Sequence, residues 1–429
     1  MANPGDTVEV VTKDKTFSGT LMPNEETDAV VLKLDSGYNM GIAKEKITSV
    51  KTVGARKEHT ETFEKVVSKK GLPTIAILHT GGTIASKVDY ETGGVVAKFS
   101  VEDMLAMVPE LRDIANIETE LVANMMSEDM LIEDYKKISD AVRKYAEQKV
   151  QGVIIGHGTD TLAYTAAALA FVFEKINIPV IIVGAQRSPD RASTDATMNL
   201  ICAAEFIAKT DFTGVAICMH NSVNDDECAI LPATKTRKMH TSRRDAFKAI
   251  NDTPLALVNY KTKDINYLKQ DYGRKTEDDT LIVKDRFEKD TGLLKVHPVM
   301  KNRLYEFFAG HYKGFVLEGT GLGHAPTNLG EENLKNHATL KKYIAEGGFV
   351  AVTSQCLFGG VHPSVYVNLR RLSSIGCLYC NDMLPETALI KLSWLLGNYK
   401  DPEQIKRLMV TNLRGEINER EVLDDYGLG

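Results

Sequence analysis

The chain has no excess of basic charge, no long apolar run and no paired cysteine framework, and each absence removes a class of function. Its 429 residues carry 52 Lys and Arg against 58 Asp and Glu, a formal net charge of -6. Generic attraction to nucleic acid is therefore not built into the chain as a whole, and any RNA contact must come from a local patch or a partner. No apolar run approaches the ~20 residues of a bilayer-spanning helix. The opening Met1-Ala-Asn-Pro-Gly-Asp6 lacks the basic and apolar regions of a secretory signal. The six cysteines are scattered; Cys377 and Cys380 stand at C-x-x-C spacing, but no second pair completes a zinc site. A reduced, cytoplasmic compartment is the expectation, with no metal. Internal repeats and low-complexity segments are lacking as well.

What is there suits a globular protein. A hydrophobic share of 43% is enough for a substantial core, and the length suggests two or three domains. Residues 1–55 read as a small all-β module. Thr7-Val-Glu-Val-Val-Thr12, Thr16-Phe-Ser-Gly-Thr-Leu21, Ala29-Val-Val-Leu-Lys-Leu34, Tyr38-Asn-Met-Gly-Ile42 and Ile47-Thr-Ser-Val50 are short β-rich runs, most of them divided by turn residues. They fit a small barrel of SH3 or Sm type, a module that binds RNA or peptides or simply docks. Residues 56–72 are charge-dense and read as a linker. Residues 73–255 then alternate strand and helix signals, as a parallel sheet covered on both faces does. Residues 256–304 are mixed and read as an inter-lobe connection, and residues 305–429 form a second α/β lobe. Ser100-Val-Glu-Asp103 is a capping-box variant ahead of a helix. Pro385 through Leu396 reads as a helix, and Asp401 with Pro402 opens the last one.

Thr74-Ile-Ala-Ile-Leu-His-Thr-Gly-Gly-Thr-Ile-Ala-Ser86 organises the rest. Its apolar run does not alternate, so it reads as a buried strand, and it breaks into a glycine turn flanked by threonine hydroxyls. Alone, this is either a capped turn or a site. Further strand candidates end in His157-Gly-Thr-Asp160, Gly184-Ala-Gln-Arg-Ser188, Met219-His-Asn221, Glu318-Gly-Thr-Gly321 and Thr353-Ser-Gln355. Parallel strands bring such ends to one sheet edge, where open α/β sheets bind ligands. A threonine hydroxyl is a poor nucleophile without a base. A lysine serves only if burial and neighbours hold its pKa well below ~10.4. Lys235 is the candidate, although the same segment (Lys235, Arg237, Lys238, Arg243, Arg244) also reads as a solvated basic loop. A carboxylate beside that lysine would oppose the shift unless it also pairs with a substrate amine, a role that suits Asp160.

His79-Thr-Gly-Gly-Thr-Ile-Ala-Ser86 and Gly156-His-Gly-Thr-Asp-Thr161 together resemble the two signatures of the bacterial-type L-asparaginase/glutaminase family. The resemblance runs from about residue 72 to the C-terminus and includes Asp195-Ala-Thr-Met-Asn-Leu200 and Gly319-Thr-Gly-Leu-Gly-His324. It implies a two-lobed, asparaginase-like parallel-sheet α/β fold, a threonine acyl-enzyme and active sites at a dimer interface. By that resemblance Thr83 is the nucleophile, Thr159 the second essential threonine, and Lys235 the lysine that activates Thr159. Asp160 would bind the substrate α-amino group and Ser127 its α-carboxylate. Glu128 stands where a relative can carry glutamine, and Tyr90 lies on the segment of a mobile lid. Gly82 and Gly158 are expected in the substrate pocket, with backbone N–H groups at the glycine turns stabilising an oxyanion.

The β module, with Leu32-Lys-Leu-Asp-Ser-Gly-Tyr-Asn-Met-Gly-Ile42, resembles one branch of the family, the D subunits of archaeal glutamyl-tRNA(Gln) amidotransferases. Gly184-Ala-Gln-Arg-Ser-Pro-Asp-Arg191 and Asn381-Asp-Met-Leu-Pro-Glu-Thr-Ala388 point the same way. That branch implies hydrolysis of glutamine to glutamate and ammonia, with the ammonia passed to a subunit-E-like partner. The partner would hold tRNA(Gln) and use ATP and magnesium, and this chain would bind no cofactor. A homodimer core within an α2β2 assembly is implied. A stand-alone L-asparaginase/glutaminase is the alternative, and the order in which the two threonines act stays open.

Overall fold

The computed structural model describes residues 2–23, 28–34, 39–54, 68–81, 86–88, 95–97, 105, 108–187 and 193–420. The capping-box segment at Ser100 and most of the charged linker lie outside these residues.

The amino-terminal module is a five-stranded antiparallel sheet of strands Thr7–Thr12, Thr16–Met22, Ala29–Lys33, Asn39–Ala43 and Ile47–Gly54. The last strand returns to pair with the first. Its register shifts at Thr7/Val8 and Val11/Thr12 bend the sheet. Alternation turns Val8 and Val10 inward, where they meet Leu32 and Ile42 in a small core. The described ladders leave Asn39–Ala43 and Ile47–Gly54 at the two edges.

The larger sheet has eight strands. Five run parallel, in the spatial order Gly214–His220, Pro179–Val183, Gly152–Gly156, Thr74–His79 and Asn116–Leu121. Their apolar runs do not alternate because both faces are covered. Ile75, Ile77, Ile154 and Ile181 pack on one side with helix Ala196–Lys209. Ala76, Leu78, Val153 and Ile155 pack on the other with helices Asp134–Glu147 and Leu162–Val172. Beyond these five parallel strands the sheet is mixed. Glu227–Pro232, Ala256–Asn259 and Ile265–Tyr267 extend it antiparallel beyond Gly214–His220. A tight return after His220 leaves no room for a crossover helix, so Glu227–Pro232 must run back alongside.

The second lobe is a four-stranded parallel sheet of Thr291–Lys295, Gly314–Gly319, Phe349–Ser354 and Leu378–Tyr379. Thus the stretch 256–304 supplies strands to both sheets rather than only joining them. Helix Pro385–Asn398 covers the second sheet, and Asp401 caps the following helix, its Oδ1 accepting from Glu403 N at 3.1 Å. Helix Leu162–Val172 lies between the lobes. All of its eleven residues except Ala163 and Tyr164 are buried. Leu162, Ala166 and Leu169 face the first sheet, and Ala167, Ala168 and Phe171 join the core under the second. Phe171 stacks on Trp394 with ring centroids 5.6 Å apart.

Candidate active site

Register places His79, Gly156 and Val183 side by side at the carboxyl ends of neighbouring parallel strands. The chain turns immediately beyond each. Thr80 pins the first turn to the second: its N–H and its hydroxyl both donate to Gly156 O at 3.1 Å. Gly81 follows at φ +102°, and a Cβ there would lie 2.4 Å from Met125 O. Only glycine fits that close approach. The contact carries the segment Met125–Ser127 onto the second turn, where a Cβ on Gly158 would meet Ser127 Cβ and Oγ at 2.7 Å.

Ser127 is buried, and its Oγ accepts from Asp160 N at 3.3 Å. Its carbonyl accepts from Thr161 Oγ1 at 2.7 Å. Glu128 is exposed on the same 3₁₀ turn, Ser127–Asp129. His157 anchors the turn from within: Nδ1 donates to Gly158 O at 2.7 Å, which leaves Nε2 to accept from Thr165 Oγ1 at 2.8 Å. Burial pulls its pKa down to about 4, so the ring is neutral near pH 7.

Two lysines of the basic segment part company. Lys238, at the end of strand Thr236–Lys238, donates to Thr159 Oγ1 and to Asp160 Oδ1, both at 2.8 Å. Its side chain is 15% exposed, whereas that of Asp160 is 64% exposed and open to a ligand. Lys235 is fully buried and gives its ammonium to Asp382, with the carbonyl oxygen at 3.2 Å and the carboxylate closer still. Burial lowers its pKa below the usual lysine range, against the opposing pull of Asp382. The expectation that Lys235 serves Thr159 is therefore corrected: the lysine that touches Thr159 is Lys238. Lys235 lies on the bend before strand Thr236–Lys238 and Lys238 at that strand's far end, so a solvated cluster and a single buried base were both incomplete readings.

The structure thus brings together Ser127, Gly158, Thr159, Asp160 and, unanticipated, Lys238. Thr83, Gly82 and Tyr90 lie outside the described residues. Asp195 also escaped the sequence reading as an individual residue. It is buried, and its carboxylate accepts from Gln186 N and Arg187 N at 3.0 Å, fixing the loop after Pro179–Val183. Among the described residues, no group of three or more His, Cys, Asp or Glu could hold a metal ion. A cavity of about 290 Å³ between Phe173, Leu231, Lys269 and Arg414 opens at the opposite strand ends, away from Thr159.

A hydroxyl hydrogen-bonded to a lysine, with an exposed carboxylate on one side and a buried serine on the other, can bind an amino acid and move a proton at Thr159. Family models agree with that chemistry. One described as "Asparaginase, N-terminal" matches residues 74–272, "Glutaminase/Asparaginase C-terminal domain" matches 291–409, and "GatD N-terminal domain" matches 2–53. The D subunit of the glutamyl-tRNA(Gln) amidotransferase of Thermococcus kodakarensis is 44% identical over 98% of this chain and 96% of its own. That of Pyrococcus furiosus is 45% identical over 94% and 91%. Among solved structures, the thermostable L-asparaginase of Thermococcus kodakarensis superposes with a TM-score of 0.72 at 30% identity, covering 81% of this chain and all (100%) of its own. L-asparaginase I of Vibrio cholerae gives 0.70 at 28%, covering 81% and 99%.

Proposed function

The chain belongs to the asparaginase/glutaminase family, in the branch formed by the D subunits of glutamyl-tRNA(Gln) amidotransferases, and from that membership we propose how its site works. The chain is the glutaminase subunit of a tRNA-dependent amidotransferase, hydrolysing glutamine to glutamate and ammonia. Ser127 holds the substrate α-carboxylate and Asp160 its α-ammonium. The contact of Lys238 with Thr159 and Asp160 carries the mechanism. The amine of Lys238 is placed to take up a proton by way of Thr159. The substrate ammonium shares the Asp160 carboxylate with Lys238.

Thr83 then attacks the side-chain amide carbon, its proton passing by way of Thr159 to Lys238. Backbone N–H groups of the glycine turns stabilise the tetrahedral oxyanion. The proton goes on to the leaving nitrogen, the C–N bond breaks, ammonia departs, and an acyl ester remains on Thr83. Water cleaves that ester to glutamate and regenerates the hydroxyl. The chain binds no cofactor for these steps. Its ammonia goes to a subunit-E-like partner that holds Glu-tRNA(Gln) and supplies ATP and magnesium for amidation. This chain forms the homodimer core of an α2β2 complex.

The test is tRNA-dependent amidation with glutamine as donor, alongside ammonia release with and without the partner. Thr83→Ala, Thr159→Ala and Lys238→Ala should each abolish glutamine-supported amidation and leave amidation from free ammonium salts intact. Unchanged glutamine-supported amidation in these variants would overturn the mechanism. Fast, partner-independent hydrolysis of asparagine would favour a stand-alone amidohydrolase instead.

A further inference from the structure

The hairpin that carries Lys238, formed by strands Thr236–Lys238 and Phe247–Ala249, is gripped at its base by the second lobe. On the incoming side, Thr234 O accepts from Thr387 Oγ1 at 2.9 Å, and Thr234 Oγ1 donates to Arg414 O at 3.0 Å. Lys235 reaches Asp382 from full burial. On the returning side, Asn251 Oδ1 accepts from Gly359 N at 3.0 Å, and Asn251 O accepts from Asn418 Nδ2 at 2.6 Å. Ile250 N closes the base by donating to Lys235 O at 2.8 Å.

Asp382 is where these bonds converge. Its Oδ1 accepts from Asn418 N at 2.9 Å, and its Oδ2 accepts both from Asn418 Nδ2 at 2.8 Å and from Lys235. A carboxylate satisfied by a backbone N–H, an amide and an ammonium admits one geometry, where an apolar contact would admit many. A buried ion pair adds little stability over an apolar pair of equal volume, and specification of a unique arrangement is its better use. Lys238 follows Lys235 closely along the chain, so a shift at the base reaches the tip with little slack.

We infer that Asp382, braced by Asn418, is a positioning residue that sets Lys238 against Thr159 through the base of the hairpin. This rests on Lys238 acting as the base at Thr159, as proposed above. Second-lobe residues thereby take part in glutamine hydrolysis through the base of the hairpin.

The full chain assembled with its partner subunit provides the test. Asn418→Ala removes the side-chain amide's bonds to Asp382 Oδ2 and to Asn251 O without stranding a charge. It should lower kcat for glutamine by about tenfold with KM within about twofold, because a misplacement of the order of 1 Å costs up to about a hundredfold. Asp382→Asn should lower kcat further and reduce the melting temperature. The paired variant Lys235→Met with Asp382→Leu separates positioning from mere stability. It should regain the melting temperature and keep the low kcat. If kcat recovers along with the melting temperature, or if folded Asn418→Ala retains wild-type kcat, Asp382 is not a positioning residue. Lys238→Ala is measured in parallel: undiminished hydrolysis there would remove the premise, whereas loss there with full activity in Asn418→Ala would remove only the inference.

Discussion

Lys235 and Lys238 stand three positions apart, yet one ammonium is closed into a buried pair with Asp382 and the other meets Thr159 Oγ1 at 2.8 Å. Substitutions should separate them. Lys238→Ala is expected to lower kcat for glutamine by about 10²- to 10⁴-fold, the usual worth of a general base, with little change in melting temperature. Lys235→Met leaves the Asp382 carboxylate buried without its cation, at a cost of about 3–5 kcal/mol. Denaturant unfolding and steady-state kinetics on both variants give the check: stability should fall mainly in one, kcat far more steeply in the other.

Asp160 faces solvent in the free site and is expected to face the substrate ammonium when glutamine binds. A hydrogen bond to a charged group is worth about 1.5–3 kcal/mol, so Asp160→Asn should raise KM by about ten- to a hundredfold. A glutamine analogue lacking the α-amino group should show almost none of that increase. An equal penalty for both compounds would remove Asp160 from substrate binding.

Gly158 has no room for a side chain, since its Cβ would press on Ser127 at 2.7 Å. Gly158→Ala should cost about 1–3 kcal/mol of stability, as overpacking does. It should also raise KM by displacing Ser127. Melting curves and a KM measurement test the two effects together.

Acid should weaken the fold before the carboxylates titrate. Burial lowers the pKa of His79 and of His157 from 6.5 to about 4. The unfolded chain takes up these protons as the pH falls through 6.5, and the folded chain only near 4. Their contribution is therefore complete above about pH 6.5 and declines towards pH 4, by up to about 3 kcal/mol for each histidine. Urea unfolding at pH 7, 5.5 and 4.5 should show the decline. His157→Gln should flatten it, and an unchanged slope would refute the assignment.

The strands around the site were legible because burial on both faces writes a continuous apolar run, as in Ile75–Leu78 and Val180–Val183. The turns were legible because glycines and threonines follow those runs at once. The choice between Lys235 and Lys238 was not, since it depends on Asp382, 147 residues further along the chain. Nor was the antiparallel extension of the large sheet. Glu227–Pro232 carries the same apolar signature as the parallel strands, and only the tight return after His220 sets its direction. Asp195 stood only within a quoted motif, and its grip on Gln186 N and Arg187 N is tertiary.

Helix Leu162–Val172 begins directly after the Thr159-Asp160 turn and has almost no face of its own for water. Either lobe made separately would bare a stripe of alanine, leucine and phenylalanine to solvent. The two sheets are thus halves of one cooperative unit, which should melt in a single transition. A chain cut between the lobes should yield fragments that aggregate unless they are refolded together. The stiffness that this shared helix gives the threonine turn is inherited from both lobes at once.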